Sequence, residues 1–185
     1  MKPLETKRLV LREFEDDDFA SFHSYANCAE NIVYVVWGPS TEEQTRAFIS
    51  TAIKKANEVP CTNYQYAAVT KGGGKLIGGC NLTLFGGIAE MGWFLHHDYW
   101  KQGYGTEIGK ALLKFGFEEL KLQRIQARCD ADNIGSFRVM EKIGMRCEGL
   151  FPDSRPAHKL SDRKFSDELS YFILRNEWGW NKRLS

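Results

Sequence analysis

A tight turn, Lys101-Gln102-Gly103-Tyr104-Gly105, separates the strand-like run Met91–His96 from an apolar-periodic helix that begins at about Thr106. A helix start leaves backbone N–H groups without partners and carries partial positive charge. Gly103 and Gly105 have no Cβ, so the main chain there can approach a bulky anion. The combination describes a phosphate cradle built of backbone rather than of lysines. The same glycines would also suit a turn that only packs, and the turn alone does not separate the two readings. Its spacing does narrow the phosphate. The turn is not GxxxxGK[ST], which argues against an ATP or GTP loop. Glycines at 103, 105 and 109 miss GxGxxG by one residue, which weakens a dinucleotide-binding α/β oxidoreductase.

Upstream of the turn, Glu90, Gly92, Phe94 and His96 share one face of their strand by period-two alternation. Gly92 is expected to leave room beside Glu90. The five cysteines, Cys28, Cys61, Cys80, Cys129 and Cys147, are widely spaced, odd in number and without a CxxC pair. They indicate neither a metal site nor a disulfide framework, and fit a reduced, cytoplasmic protein.

The elements that must hold these residues are legible in outline. Leu9, Leu11 and Phe14 alternate with charge, as in a half-buried strand. Asp16-Asp17-Asp18 begins a helix toward Tyr25, its charge matched to the dipole. Val35-Val36-Trp37-Gly38-Pro39 is a break, after which Ser40 or Thr41 caps a helix through about Asn57. Strands 64–70, 75–84 and 88–96, joined at Lys71-Gly72-Gly73-Gly74 and Phe85-Gly86-Gly87, form an antiparallel meander. A helix 106–120, a strand 124–130, a helix near 133–143 and a strand 145–151 follow. A polar stretch 152–167, with Arg155, His158 and Lys159, precedes a last strand Leu169–Leu174. Strands first, then strand–helix alternation, predict an α/β mixed, mostly antiparallel sheet of about seven strands with helices on both faces.

The length of 185 residues suits one domain, 1–185. A net charge of +1 argues against nucleic acid or an anionic membrane as the main partner. The N-terminal run is too charged for a signal peptide, and no apolar run approaches membrane-spanning length.

Taken together, Trp100-Lys101-Gln102-Gly103-Tyr104-Gly105 and the segment Asn133-Ile134-Gly135-Ser136 with Glu141-Lys142-Ile143-Gly144-Met145 resemble two paired motifs of the GNAT superfamily of N-acetyltransferases. The wording D-Y-W-x-Q-G-Y-G-T-E, the opening TKRLVLREFEDDD and the closing DELSYFILRNEW look like the branch that acetylates ribosomal-protein N-termini and assorted small amines. Trp100 departs from the Arg or Gln usual at its position, and Met145 from the usual Phe. The resemblance implies a GNAT fold and acetyl-CoA as co-substrate, with an amine acceptor that is a small molecule or a protein N-terminus. It leaves a homodimer open. It implies a pyrophosphate site at Lys101, Gln102, Gly103, Tyr104, Gly105 and Thr106, with the thioester along Phe94, Leu95 and His96. It places Asn133 against the pantetheine arm and Ser136 toward the thioester sulfur. Trp37 becomes a candidate wall of the acceptor pocket, or else a core aromatic. Met140 stands where many relatives carry a Tyr acid, and has no proton to give. A catalytically weak acyl-CoA-binding module therefore stays alive.

The chemistry asks for a base to relieve the amine of its proton, and Glu90, acting through a water, is the candidate beside its alternative as a solvated strand-end carboxylate. A developing oxyanion needs a donor, which a backbone N–H near Phe94 or Leu95 supplies if the strand is splayed there. Thiolate departure is easy, since a thiol pKa of about 8.5 makes it a far better leaving group than an amine. An aspartate in place of Gly105 is expected to bring a side chain and a negative charge into the phosphate site and abolish CoA affinity.

Overall fold

The computed structural model describes residues 1–158 and 160–181; Lys159 lies outside them. Eight strands form one sheet: β1 (Leu4–Glu5), β2 (Leu9–Arg12), β3 (Asn63–Thr70), β4 (Leu76–Phe85), β5 (Ile88–Leu95), β6 (Arg124–Asp130), β7 (Arg146–Pro156) and β8 (Phe165–Leu174). Their order is β1-β2-β3-β4-β5-β6-β8-β7. Neighbours are antiparallel except β5 and β6. The sheet thus exceeds the expected seven by β1, a two-residue strand set against Leu11 and Val10 and too short to show a period.

The β5–β6 pair decides where a ligand can enter. Pairing runs only from Ile88↔Arg124 to Glu90↔Gln126. Beyond it β5 continues along β4 to Leu95, while β6 continues along β8 to Asp130. The two strands part like a V. Open sheets take ligands outside the carboxyl ends of parallel strands, where backbone groups and helix N-termini face a crevice.

Helices cover both faces, as the pattern predicts. On one face α1 (Phe19–Ala26), α2 (Ala29–Ile32) and α3 (Glu42–Ala56) enclose a core that includes Phe14, Phe22, Tyr25, Ile49 and Ala67. On the other, α4 (Tyr104–Lys114) and α5 (Ile134–Lys142) cover Leu9, Leu11, Tyr66, Cys80, Met91 and Ile125. The last helix, α6 (Arg175–Asn181), follows β8. Thr41 caps α3 with a reciprocal capping box: its side chain accepts from Gln44 N–H, and Gln44 Oε1 accepts from Thr41 N–H.

Three expectations change in detail. The acid run is a short 3-10 turn before α1, and Asp18 is buried in an ion pair with Arg12 at 2.7 Å rather than serving only a dipole. The α4 helix starts at Tyr104, before the expected Thr106, and runs on from Phe115 to Glu119 as a π turn. The stretch 152–167 is largely the tip of the β7–β8 hairpin, with Arg155↔Ser166 and Pro156↔Phe165 paired. Among the described residues no helix is long and apolar enough to cross a membrane.

Candidate active site

The turn after β5 is held by side chains. The Trp100 indole N–H donates to Leu95 C=O at 2.8 Å, which returns the chain to the end of β5. This gives the aromatic departure at position 100 a local reason. Gln102 Nε2 donates to Asp98 C=O at 2.6 Å. Lys101 and Gly103 have φ of 59° and 83°, left-handed values that glycine accepts freely and lysine rarely. Left-handed residues alternating with ordinary ones turn successive N–H groups to a common side and form an anion-binding nest. Gly103 is the N-cap, and the N–H groups of Tyr104, Gly105 and Thr106 open α4. These are the expected phosphate donors.

At Gly105 only the direction of a side chain differs from the expectation, and the backbone N–H keeps its place in the first turn of α4. A Cβ there would not enter the crevice; it would lie 3.2 Å from a Val139 methyl and 3.7 Å from the Trp93 indole. Gly105 is buried under the start of α4 and lets α5 pack against it. The Cβ position of Gly103, by contrast, meets only Arg8 Nη2, at 3.6 Å. The open side of the turn is therefore at Gly103, while the missing Cβ of Gly105 serves helix packing.

A second helix start lies beside the first, because α5 follows β6 at the same carboxyl end of the parallel pair. Asn133 is its N-cap, and its Oδ1 accepts from Ser136 N–H at 3.0 Å. Among the described residues no hydrogen bond engages the Ser136 hydroxyl. Met140 is buried in the core between the layers.

Alternation now assigns the backbone of β5. His96 N–H donates to Ile77 C=O at 2.9 Å, so the even-numbered residues bond to β4. Phe94 N–H is thereby committed to β4. The N–H groups of Trp93 and Leu95 point toward the V, where, among the described residues, no strand pairs with them. Leu95 N–H, rather than Phe94 N–H, is the donor positioned for an oxyanion. The Phe94 side chain projects to the α1–α3 face, with its ring 5.3 Å from Tyr25 and 5.9 Å from Trp37 between centroids. His96 is occupied by the following turn: its Nδ1 accepts from Asp98 N–H at 3.2 Å, and its ring stacks on His97. Burial, reinforced by His97 and Lys75, lowers its pKa despite the opposing pull of Asp98. The tight turn also brings ligand atoms of His96, His97 and Asp98 within 4.8 Å of one another.

Glu90 sits at the point of the V, the last residue of β5 paired with β6. Its Oε2 accepts from Arg128 Nη2 at 2.7 Å, Arg128 Nε at 3.0 Å and Gln126 Nε2 at 3.2 Å. Arg128 also reaches Glu168 on β8 at 3.3 Å. Glu90 is thus not a simply solvated carboxylate, and only its Oε1 remains to face a water. The room expected at Gly92 is taken: a Cβ there would fall 2.8 Å from Asn81 Oδ1, so the Asn81 amide fills the space beside Glu90. Arg128 was legible as a polar residue on an alternating strand, but its partners across the V were not.

Trp37 does line a pocket. Phe22, Trp37, Phe48 and Phe94 form its walls, with Gly38, Ser40, Gln44 and Thr45 completing a space of about 260 Å³ between α1, α3 and β5. Phe22 and Phe48 lie in the two N-terminal helices, which the resemblance sets over the acceptor pocket, but no local pattern singled out these two residues.

The buried thiols are poor nucleophiles. Burial, joined by nearby acidic groups and opposed by Arg155, pushes Cys129 up to about 12, and burial alone raises Cys80 well above the ordinary thiol range.

The acetyltransferase (GNAT) domain model matches residues 8–146. The chain belongs to the GNAT acetyltransferase family. The GNAT assignment sets aside the oxidoreductase reading of the glycine turn. The uncharacterized N-acetyltransferase YnaD of Bacillus subtilis is 34% identical over 177 residues, covering 95% of this chain and 98% of that protein. The crystal structure of a GNAT-family acetyltransferase from Bacillus anthracis superposes with a TM-score of 0.82 at 34% identity, over 95% of this chain and 99% of that one. RimL, a ribosomal L7/L12 alpha-N-protein acetyltransferase solved in complex with coenzyme A, shares the fold with a TM-score of 0.80 at 15% identity, over 94% and 98% of the two chains.

Proposed function

We propose that this acetyltransferase moves the acetyl group of acetyl-CoA onto a primary amine by direct attack in a ternary complex, with residues 1–185 acting as one catalytic domain in the cytoplasm. The observation that carries the reading is the opening of β5 from β6 beyond Glu90, which leaves the Leu95 N–H aimed into a crevice flanked by two helix starts. The co-substrate supplies an activated thioester. The nest at Lys101–Gly103 and the first N–H groups of α4 hold its pyrophosphate. Asn133 serves the pantetheine arm while capping α5, and the Leu95 N–H stabilises negative charge on the acetyl oxygen.

Glu90, through Oε1 and a water, accepts the amine proton, and Arg128 fixes the carboxylate in place. Ser136 hydrogen-bonds the departing sulfur. Trp37 contacts the acceptor, whether a small amine or a protein N-terminus. The unpaired cysteines fit a reducing compartment.

The methionine at position 140, which has no proton to give where many relatives carry a Tyr, favours one alternative, a module that binds acyl-CoA without turnover. Thermal protection by CoA but not NAD(H), followed by amine-dependent release of free thiol, distinguishes the readings. Protection without amine-dependent release supports the module; no protection by CoA overturns both.

A further inference from the structure

The pocket beside Phe94 is chemically selective. Its walls are aromatic: Phe22 and Phe48 stack with centroids 4.7 Å apart, and Phe94 stands edge-on to Trp37. Among the described residues no Asp, Glu, Lys or Arg lines it. Its few polar groups, Ser40, Gln44 and Thr45, are uncharged, and two of their oxygens are already engaged within the protein. Thr45 Oγ1 donates to Thr41 C=O at 3.1 Å and meets His23 Nδ1 at 2.9 Å, and Gln44 Oε1 accepts from Thr41 N–H. A charged guest would lose its water there and find no counter-charge, a costly exchange. An apolar guest would gain contact on several sides. The space of 260 Å³ exceeds the roughly 150 Å³ at which an apolar protein cavity takes up benzene.

The same face of the sheet carries opposite chemistry at the point of the V. There Glu90 and Glu168 share one Arg128, which leaves an excess of negative charge. Phe94 lies on the same face of β5 as Glu90 but toward the mouth of the V, where its side chain walls the pocket and its neighbour Leu95 presents the open N–H.

Resting on the acetyltransferase reading, we propose that the acceptor is a primary amine bearing an uncharged aromatic or branched apolar group. That group fills the Phe22–Trp37–Phe48–Phe94 pocket, and the amine faces the acidic end of the crevice. Polyamines and other multiply charged amines are excluded, because their second charge would lie in the pocket.

The test compares 2-phenylethylamine, ethylamine and 1,4-diaminobutane at saturating acetyl-CoA, and the binding of each by calorimetry in the presence of non-reacting CoA. The expected kcat/KM for 2-phenylethylamine is about 10-fold or more above both others, since several buried carbons separate them. Gln44→Glu keeps the capping box, which accepts either residue, and places a carboxylate at the pocket. It should shift the ratio toward 1,4-diaminobutane by about tenfold. Equal or better use of 1,4-diaminobutane by the parent protein overturns the proposal while leaving acetyl transfer intact. Selective binding of 2-phenylethylamine with no turnover of any amine supports the pocket assignment and removes the transfer reading. Absence of both binding and turnover overturns the proposal.

Discussion

Residues at the crevice divide into those that hold the backbone and those exposed to substrate. Gly105 belongs to the first group. Gly105→Ala should lower stability by about 1–3 kcal/mol through overpacking against Val139. Combining it with Val139→Ala should recover part of that loss, and denaturant unfolding of the four proteins in this cycle checks it. Ser136 belongs to the second group. Ser136→Ala should reduce kcat by about 10- to 100-fold with CoA affinity nearly unchanged, because only a hydrogen bond to the departing sulfur is lost. Glu90→Gln should reduce kcat by about 10²-fold near neutral pH. The deficit should shrink toward pH 9–10, where a free α-amine with a pKa of about 8 has already lost its proton. Superimposable pH–rate profiles would remove Glu90 as a base and leave it as an anchor for Arg128. Asn133 was legible as an N-cap from its residue type, while Glu90 was singled out by its place on the strand and Ser136 only by the resemblance. The sequence did not show Arg128, whose importance depends on β5, β6 and β8 lying side by side. The Asn81 side chain that fills the space at Gly92 was hidden for the same reason, since it comes from the neighbouring strand.

At the scale of elements, the segment between β1 and β2 is tied to the turn and helix after β5. Glu107 on α4 accepts from Thr6 Oγ1 at 2.6 Å, from Arg8 N–H at 2.7 Å and from Arg8 Nε at 2.7 Å. Arg8 also donates to Gln102 C=O at 3.0 Å and lies over the Tyr104 ring at 4.0 Å. One carboxylate thereby fixes the register between the start of β2 and the start of α4. Burial pushes the Glu107 pKa up, but the Thr6 and Arg8 bonds outweigh it and the pKa falls below the ordinary value. A depressed carboxylate pKa contributes stability above the unfolded value of about 4.3, and that contribution is lost as pH falls through the folded value. Glu107→Gln should therefore cost about 1–3 kcal/mol near pH 7, with the difference from the parent protein closing below about pH 4. Denaturant unfolding across pH measures it. The meander, α3 and α5 were legible because their periods and caps are local. The β7–β8 tip was not, because Pro152 and the left-handed Asp153 interrupt alternation. Its pairing resumes only at Arg155.

For the whole molecule, a sheet with one parallel pair has one natural crevice, and both helix starts, the open N–H and the aromatic pocket gather around it. CoA bound there should stabilise the folded chain by about 2.7 kcal/mol at a hundredfold excess over its dissociation constant. The decisive measurement is a two-substrate initial-rate experiment, with acetyl-CoA and an apolar primary amine both varied, thiol release monitored and the protein mass checked before amine is added. Direct attack predicts thiol release that requires the amine, double-reciprocal lines that intersect, and a protein that carries no acetyl group. Parallel lines together with an acetylated protein would contradict direct transfer. Thiol release that ignores the amine would contradict the acetyltransferase account itself.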